Sequence, residues 1–215
     1  MPNANAYDAA YFRALYGEHP QQTWADRLRD GLVERLVRSW APPHGQQDAL
    51  LDIGCGYGYL LERFRDRFVL YGTDISPHAV EQAQRRLPHA RIAVADVQAG
   101  LPFPGPFQVI LAINVLEHLG SPEKAIRVIH EHLSPGGLLV LHLPTINNGL
   151  NRWLYTCSYA YDKTHVCCLS GKRLSALLGA AGFQALWESY APYWPAALWN
   201  RLQPFPAYLA AYRHP

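Results

Sequence analysis

The residues with the most chemical content stand at the ends of apolar runs. Leu51-Asp52-Ile53-Gly54-Cys55-Gly56-Tyr57-Gly58 carries glycines at alternate positions directly behind a carboxylate. Glycines so spaced let the backbone turn sharply and let a ligand approach the main chain. A helix start behind them would present unpaired N–H groups. A dinucleotide fingerprint reads G-x-G-x-x-G, the third glycine packing helix against strand; here the spacing is G-x-G-x-G followed by Tyr59. A carboxylate in front of the loop would repel a diphosphate, so Asp52 suits a ligand that carries an ammonium. Asp74, in Gly72-Thr73-Asp74-Ile75-Ser76, is placed to accept from both hydroxyls of a ribose. Asp96, in Ala95-Asp96-Val97, would accept from an adenine amine, or it is a surface turn residue. Asn114 opens Asn114-Val115-Leu116-Glu117-His118-Leu119 behind a fourth apolar run. Jointly these strand ends describe a nucleoside pocket with an ammonium-bearing tail.

The elements that must position them follow from the pattern. Apolar runs at 49–53, 68–72, 91–95, 107–113 and 138–143 read as strands, and 59–67, 77–87 and 121–133 as helices. Strands that are apolar throughout and alternate with helices predict a doubly wound, mostly parallel α/β sheet, a Rossmann-like fold. A helical N-terminal segment precedes it. Thr23 is its cap, and Trp24, Leu28, Leu32, Leu36 and Trp40 recur every four residues as the apolar stripe, with Val33 and Val37 beside them. Arg27, Arg29, Arg35 and Arg38 read as a solvated face. Residues 144–169 lack clear periodicity and read as a functional insertion. A helix (170–181) and a strand (183–190) follow. From Ala191 the chain is rich in Pro and aromatics, and Pro interrupts the candidates for a seventh strand. The expected organisation is one domain, 1–215, with a helical cap (1–45), a cofactor-binding half (46–143) and a substrate-side segment (144–215).

The order of these motifs resembles class I S-adenosylmethionine-dependent methyltransferases, of the small-molecule group related to ubiquinone-biosynthesis enzymes. The match rests on residues 51–58, 72–76, 95–97 and 107–119, on Leu133-Ser134-Pro135-Gly136-Gly137, and on Ala181-Gly182-Phe183. It covers roughly 49–190. The resemblance implies S-adenosylmethionine as cofactor, S-adenosylhomocysteine as product and a small-molecule acceptor. It implies that Asp52, Gly54 and Gly56 line the methionine portion and that Asp74 holds the ribose. Ile75 would pack on the adenine, Asp96 would meet its amine with Val97 beside it, and Asn114 would sit near the methionine end. Cys55 in the loop is then a small packed residue, not a nucleophile. Methyl transfer is an in-line displacement, so the protein positions the acceptor and, for a hydroxyl, removes a proton. An O-acceptor is preferred to N- or C-methylation, because a His near the pocket can serve as base.

Further candidates flank the pocket. Tyr11 would cover the methionine end, or pack a terminal helix into the core. His165, in Asp162-Lys163-Thr164-His165, is the first choice for a general base, with loop pinning by a hydrogen bond as the other reading. His118 is the second choice, or it packs the loop. His142 belongs in the sheet or at its end. Tyr155 and Tyr161 line the acceptor pocket or fill the loop's own core. His165 with Cys157, Cys167 and Cys168 suggests a metal, but adjacent cysteines rarely ligate one tetrahedral ion, so no metal is expected.

Composition limits the alternatives. A net charge of +2 argues against a partner bound by phosphate neutralisation, so no nucleic acid is expected. Four cysteines make no disulfide framework, no run is long enough to span a bilayer, and the first residues lack a signal pattern. A cytoplasmic protein, possible as a homodimer, is the expectation. The rival readings are a catalytically silent cofactor-binding or partner-binding subunit on the same fold, and a dinucleotide-dependent oxidoreductase. All six Trp (24, 40, 153, 187, 194, 199) lie outside residues 49–143, so the flanks are where acceptor identity should be encoded.

Overall fold

The computed structural model describes residues 7–16, 22–42, 48–158, 162, 164–190, 192–193, 203 and 206–215. Five apolar runs form the parallel strands β1 (Ala49–Ile53), β2 (Val69–Asp74), β3 (Arg91–Val94), β4 (Phe107–Ile113) and β5 (Leu133–Leu143). Two further strands, β6 (Gln184–Ser189) and β7 (Tyr208–Arg213), complete a seven-stranded sheet in the order β3-β2-β1-β4-β5-β7-β6. Only β7 runs antiparallel to its neighbours.

The central strands are apolar at consecutive positions because both faces are covered. Along β4, Val109, Leu111 and Ile113 join the core layer of Val33, Val37, Leu61 and Val80. Ile110 and Ala112 join the opposite layer with Ile126, Ile129, Leu174 and Leu178. The helices are α1 (Ala9–Tyr16), α2 (Trp24–Trp40), α3 (Tyr59–Glu62), α4 (Pro77–Arg86), α5 (Pro122–His132), α6 (Gly149–Ser158) and α7 (Gly171–Ala180). Strand order reverses between β1 and β4, and such a switch point opens a crevice at the carboxyl ends. Register makes that edge level: Ile53 pairs with Thr73 on one side and Ala112 on the other. Gly54, Asp74 and Asn114 therefore leave the sheet side by side.

Several expectations need correction. The seventh strand exists: Tyr208–Arg213 contains no proline and begins after Pro206. Its residues from Tyr208 to Tyr212 are buried between β5 and β6. The prolines that obscured it belong to the approach, much of which, with Trp194 and Trp199, lies outside the described residues. The four-residue stripe on α2 is only partly its buried face: Leu36 and the flanking Val33 and Val37 are buried and Leu32 packs against them. A four-residue step turns 40° too far at 100° per residue, so five such residues wrap around the helix. The buried face is Asp30, Val33, Leu36 and Val37, while Trp24 is 78% exposed and Leu28 and Trp40 are exposed too. Thr23 does cap α2, in a reciprocal capping box with Asp26. The helix expected at 59–67 stops at Glu62 and continues as turns. The insertion at 144–169 contains α6.

Candidate active site

A cavity of about 530 Å³ lies over the carboxyl ends of β1, β2 and β4. Its lining includes every residue assigned to cofactor binding: Tyr11, Asp52, Gly54, Cys55, Gly56, Asp74, Ile75, Asp96, Val97 and Asn114. It also includes His118 and His165. The volume falls within the range of small-molecule sites.

The glycine loop is shaped from within. Gly54 and Cys55 both donate to the Thr73 carbonyl, at 2.7 and 3.0 Å, and Gly58 donates to the Cys55 carbonyl at 2.9 Å. Gly54 has φ +71°, and a Cβ there would stand 2.5 Å from Val115 Cγ2. Only glycine fits both the dihedral and the space. Asp74 clamps the loop to the second strand: Oδ2 accepts from the Gly56 amide and Oδ1 from the Ser76 amide, each at 2.9 Å. Burial pushes its carboxyl up, partly opposed by these amides. A carboxylate oxygen has a further lone pair, so Asp74 still has acceptor capacity for two ribose hydroxyls. The amides of Gly54, Cys55, Gly56 and Gly58 are thus taken internally, and this stretch offers a ligand close approach to the backbone. Cys55 packs its sulfur under Gly72, as a small buried residue.

Asp52 is buried at the end of β1, and burial, then Asp30 and Asp74, push its carboxyl well above the usual range. Asp30 and its neighbour Arg29 were not legible as site residues. Arg29 was assigned to a solvated face, yet its side chain is only 16% exposed and that of Asp30 is 0%. Arg29 donates from Nε and Nη2 to Asp30 Oδ1, at 2.9 and 2.8 Å, and from Nη1 to Asp26 Oδ1 at 2.9 Å. All three residues line the cavity. Burial lowers the guanidinium, but Asp30 and Asp26 outweigh it and hold it above its ordinary value. The sequence signal was Asp26 and Arg29 at helical i,i+3 spacing with a carboxylate on the buried face.

Beyond the ends of β2 and β3, Ile75 is half-buried, and Asp96 accepts from the Gln98 amide at 2.9 Å. Asn114 has φ +56° and donates its amide to the His142 carbonyl at 2.7 Å. Its Oδ1 takes His142 Nδ1 at 2.7 Å. A carbonyl oxygen only accepts, so Nδ1 carries the proton and Nε2 accepts from the Tyr193 hydroxyl at 3.0 Å. Burial, then Arg29, hold His142 down to about 3, so it is neutral.

The N-terminal helix covers one side. Asp8 caps α1 by accepting from the Ala10 and Tyr11 amides at 2.8 and 2.9 Å. Phe12 stacks on Tyr57 at 5.0 Å, and Tyr7, Tyr11 and Ile75 belong to the same aromatic cluster. Tyr11 packs with the aromatics and also lines the cavity, its hydroxyl donating to Asp162 Oδ2 at 3.3 Å.

Titratable groups gather beside this helix, where Tyr7 meets His118 edge to face at 5.8 Å. His118 and His165 meet edge to face at 4.8 Å. Burial, then His165, hold His118 down to about 4, and burial lowers His165 against the opposing pull of Asp162. Burial pushes Asp162 up, but bonds from Thr164 and the two histidines outweigh it and hold it low. Tyr155 does not line the cavity; its hydroxyl meets His165 Nδ1 at 2.8 Å. Tyr161 lies outside the described residues. Glu117 was missed altogether. It is 1% exposed, lines the cavity, and burial pushes its carboxyl up to about 8. Among the described residues the metal-type donors that converge are Glu117, His118 and His165, and no cysteine is in that group.

A methyltransferase-domain family model matches residues 22–188. The ubiquinone biosynthesis O-methyltransferase of Azorhizobium caulinodans is 30% identical over 179 residues, 73% of this chain and 67% of that protein. The trans-aconitate 2-methyltransferase of Paracidovorax citrulli is 34% identical over 99 residues, 44% of this chain and 38% of that protein. The chain therefore spans well under half the length of the latter relative. The N-methyltransferase NodS of Bradyrhizobium japonicum WM9, solved with S-adenosyl-L-homocysteine, superposes with a TM-score of 0.68 at 21% identity, covering 94% of this chain and 95% of NodS. The strand-end carboxylates, the glycine loop clamped by Asp74 and the family match agree: the chain belongs to the class I S-adenosylmethionine-dependent methyltransferases.

Proposed function

We propose that this chain transfers a methyl group from S-adenosylmethionine to a small-molecule acceptor, with a hydroxyl oxygen as the receiving atom. The observation that carries this reading is one cavity lined both by the strand-end carboxylates and by a pair of imidazoles. Bound there, the cofactor would supply a methyl group already activated on a sulfonium. Asp52 would hold the ammonium, with Asp30 adding negative potential beside it. Asp74 would orient the ribose, and Ile75, Val97 and Asp96 would seat the adenine. Tyr11 and the α1 aromatics would exclude water from the reacting end. His165 would receive the hydroxyl proton, because burial keeps its imidazole neutral. Asp162 Oδ2, 3.7 Å from His165 Nε2, would stabilise the imidazolium so formed. A net charge of +2 fits a small acceptor better than a nucleic acid.

A second reading, methylation of an amine, is favoured by one observation. Asp26, Asp30, Asp52 and Asp162 all line the cavity, and Arg29, already paired, is its sole Lys or Arg among the described residues. That potential suits a cationic acceptor. The test is S-adenosylhomocysteine release over a library of hydroxyl and amine acceptors, with calorimetry of cofactor binding. His165→Ala should cut kcat about 10²-fold or more with a hydroxyl acceptor, while cofactor affinity holds. Full activity in that variant removes His165 as base, and turnover confined to amines overturns the hydroxyl reading.

A further inference from the structure

The proposed reaction gives no part to His142 or Tyr193, yet both reach the cavity through Asn114. Asn114 is exposed and lines the cavity, whereas His142 is 5% exposed and belongs to β5. Ile113 pairs with His142 across β4 and β5, so Asn114 is the first residue past that pair. His142 grips it twice. Its carbonyl accepts from the Asn114 amide at 2.7 Å, and its Nδ1 meets Asn114 Oδ1 at 2.7 Å. Asn114 adopts φ +56°, a left-handed conformation that asparagine tolerates better than most residues.

A neutral imidazole carries one N–H, and the place of that proton decides which way the Asn114 amide faces. The Tyr193 hydroxyl lies 3.0 Å from His142 Nε2. Arg29 is near enough for its charge to act on both Tyr193 and His142. A cation nearby favours the Tyr193 oxygen turned toward it and the hydroxyl proton turned toward Nε2. With Nε2 accepting, the imidazole proton sits on Nδ1, and Asn114 Oδ1 receives it. The planar amide then leaves its NH2 for the cavity, and Nδ2 has no hydrogen-bond partner among the described residues. Other donors of the cavity wall are engaged: Gln22, Gln98, Arg29 and Tyr11 each donate to a carboxylate.

We propose that His142 and Tyr193 are positioning residues, which lock the Asn114 side chain so that its NH2 is a fixed hydrogen-bond donor to the carboxylate of the cofactor's methionine portion. The inference rests on the methyl-transfer reading, in which Asp52 takes the ammonium of that portion. Ammonium and carboxylate share one carbon atom, so their partners must lie close together and be opposite in polarity. Asn114 meets both conditions. It leaves the sheet beside Gly54, two residues beyond Asp52. It also shows a donor on a wall whose charged groups are mostly carboxylates. With the amide flipped, Oδ1 would face the ligand carboxylate and repel it, so the lock decides whether this contact forms. Tyr193 belongs to the stretch rich in Pro and aromatics after β6, and that stretch thereby reaches the cofactor through a chain of hydrogen bonds.

The test is calorimetry on the full chain with S-adenosylhomocysteine and with its decarboxylated analogue, which keeps the ammonium and lacks the carboxylate. Asn114→Asp keeps an oxygen for His142 and tolerates left-handed backbone, so the fold should survive it. It replaces the donor by an anion and should weaken S-adenosylhomocysteine by about 10–100-fold or more. The analogue should bind that variant as tightly as the parent chain, or more tightly. Tyr193→Phe lets the imidazole proton move to Nε2 and should weaken S-adenosylhomocysteine about 2–10-fold, and the analogue less. Imidazole nitrogen NMR, with His142 assigned from its absence in His142→Gln, should place the proton on Nδ1 in the parent chain and move it toward Nε2 in Tyr193→Phe. Unchanged S-adenosylhomocysteine affinity in Asn114→Asp, equal losses for the two ligands, or a proton on Nε2 in the parent chain overturns the proposal. A parent chain that binds both ligands equally sinks the carboxylate contact alone, whereas one that binds neither sinks the methyl-transfer reading.

Discussion

Replacing Asp74 by alanine tests the cofactor end of the cavity most directly. The carboxylate accepts from two amides, those of Gly56 and Ser76, each at 2.9 Å. Alanine orphans both donors, each at a cost of about 1–3 kcal/mol if no water replaces the oxygen. The cavity beside Asp74 can admit water, so about 2 kcal/mol for the pair is the expected loss. That corresponds to roughly 4–8 °C in Tm for a chain of this size. Affinity should fall further, because the same carboxylate would accept from two ribose hydroxyls. Hydrogen bonds to a charged group contribute about 1.5–3 kcal/mol each, so the two together amount to about 3–6 kcal/mol. At about 1.4 kcal/mol per decade, this is a 10²–10⁴-fold weaker Kd for S-adenosylhomocysteine. Asp74→Asn keeps one accepting oxygen and should lose less stability than alanine, yet its amide nitrogen cannot accept. Calorimetry and thermal unfolding on the same samples separate the two effects. A folded Asp74→Ala protein that binds within threefold of wild type refutes the ribose assignment. An unchanged Tm refutes the clamp between loop and strand.

Two other perturbations probe the same loop. Burial, then Asp30 and Asp74, raise the Asp52 pKa in the cofactor-free protein. An ammonium bound there favours the carboxylate, so binding should release a proton at pH values between the bound and the free pKa. Affinity should therefore fall as pH drops through the raised free-protein value and be flat above it. Calorimetry in two buffers of different ionisation enthalpy reads the proton; an affinity flat from about pH 4 upward, with no release, contradicts the ammonium assignment. Gly54→Ala places a Cβ at φ +71° and 2.5 Å from Val115 Cγ2. Left-handed backbone costs about 1–2 kcal/mol and overpacking about 1–3. Together they predict a Tm drop of roughly 4–20 °C. Adding Val115→Ala should restore only the steric part, and a Tm unaffected by Gly54→Ala would show that the loop has room to relax.

The parallel half of the fold was legible because its signals are local. An apolar run ending in glycine and a carboxylate means the same thing wherever it stands, and β1, β2, β3 and β4 match their expected runs to within about two residues. The seventh strand was missed because four nearby prolines dominated the reading, while Tyr-Leu-Ala-Ala-Tyr-Arg has too little alternation to announce a strand buried on both faces. The α2 stripe misled because leucines and tryptophans four apart look like one face until their drift is summed around the helix. Arg29 looked solvated for the same reason: which arc of a helix is inward depends on what it packs against.

The sequence by itself determined the parallel half of the fold: a switch-point sheet whose strand ends carry Asp52, Asp74, Asp96 and Asn114. Those residues follow strands at short range, and strand register carries them to one edge without further information. Tertiary structure alone decided the other half of the cavity. Glu117 and His118 come from the turn after β4, His165 and Asp162 from a segment more than 40 residues later, and Asp26, Arg29 and Asp30 from a helix that precedes the sheet. Their convergence depends on how α2 and the loop after β5 dock on the sheet, and docking is set by packing over the whole core. Residue spacing along the chain carries no record of that distance, so the buried carboxylate beside two imidazoles became visible only in three dimensions.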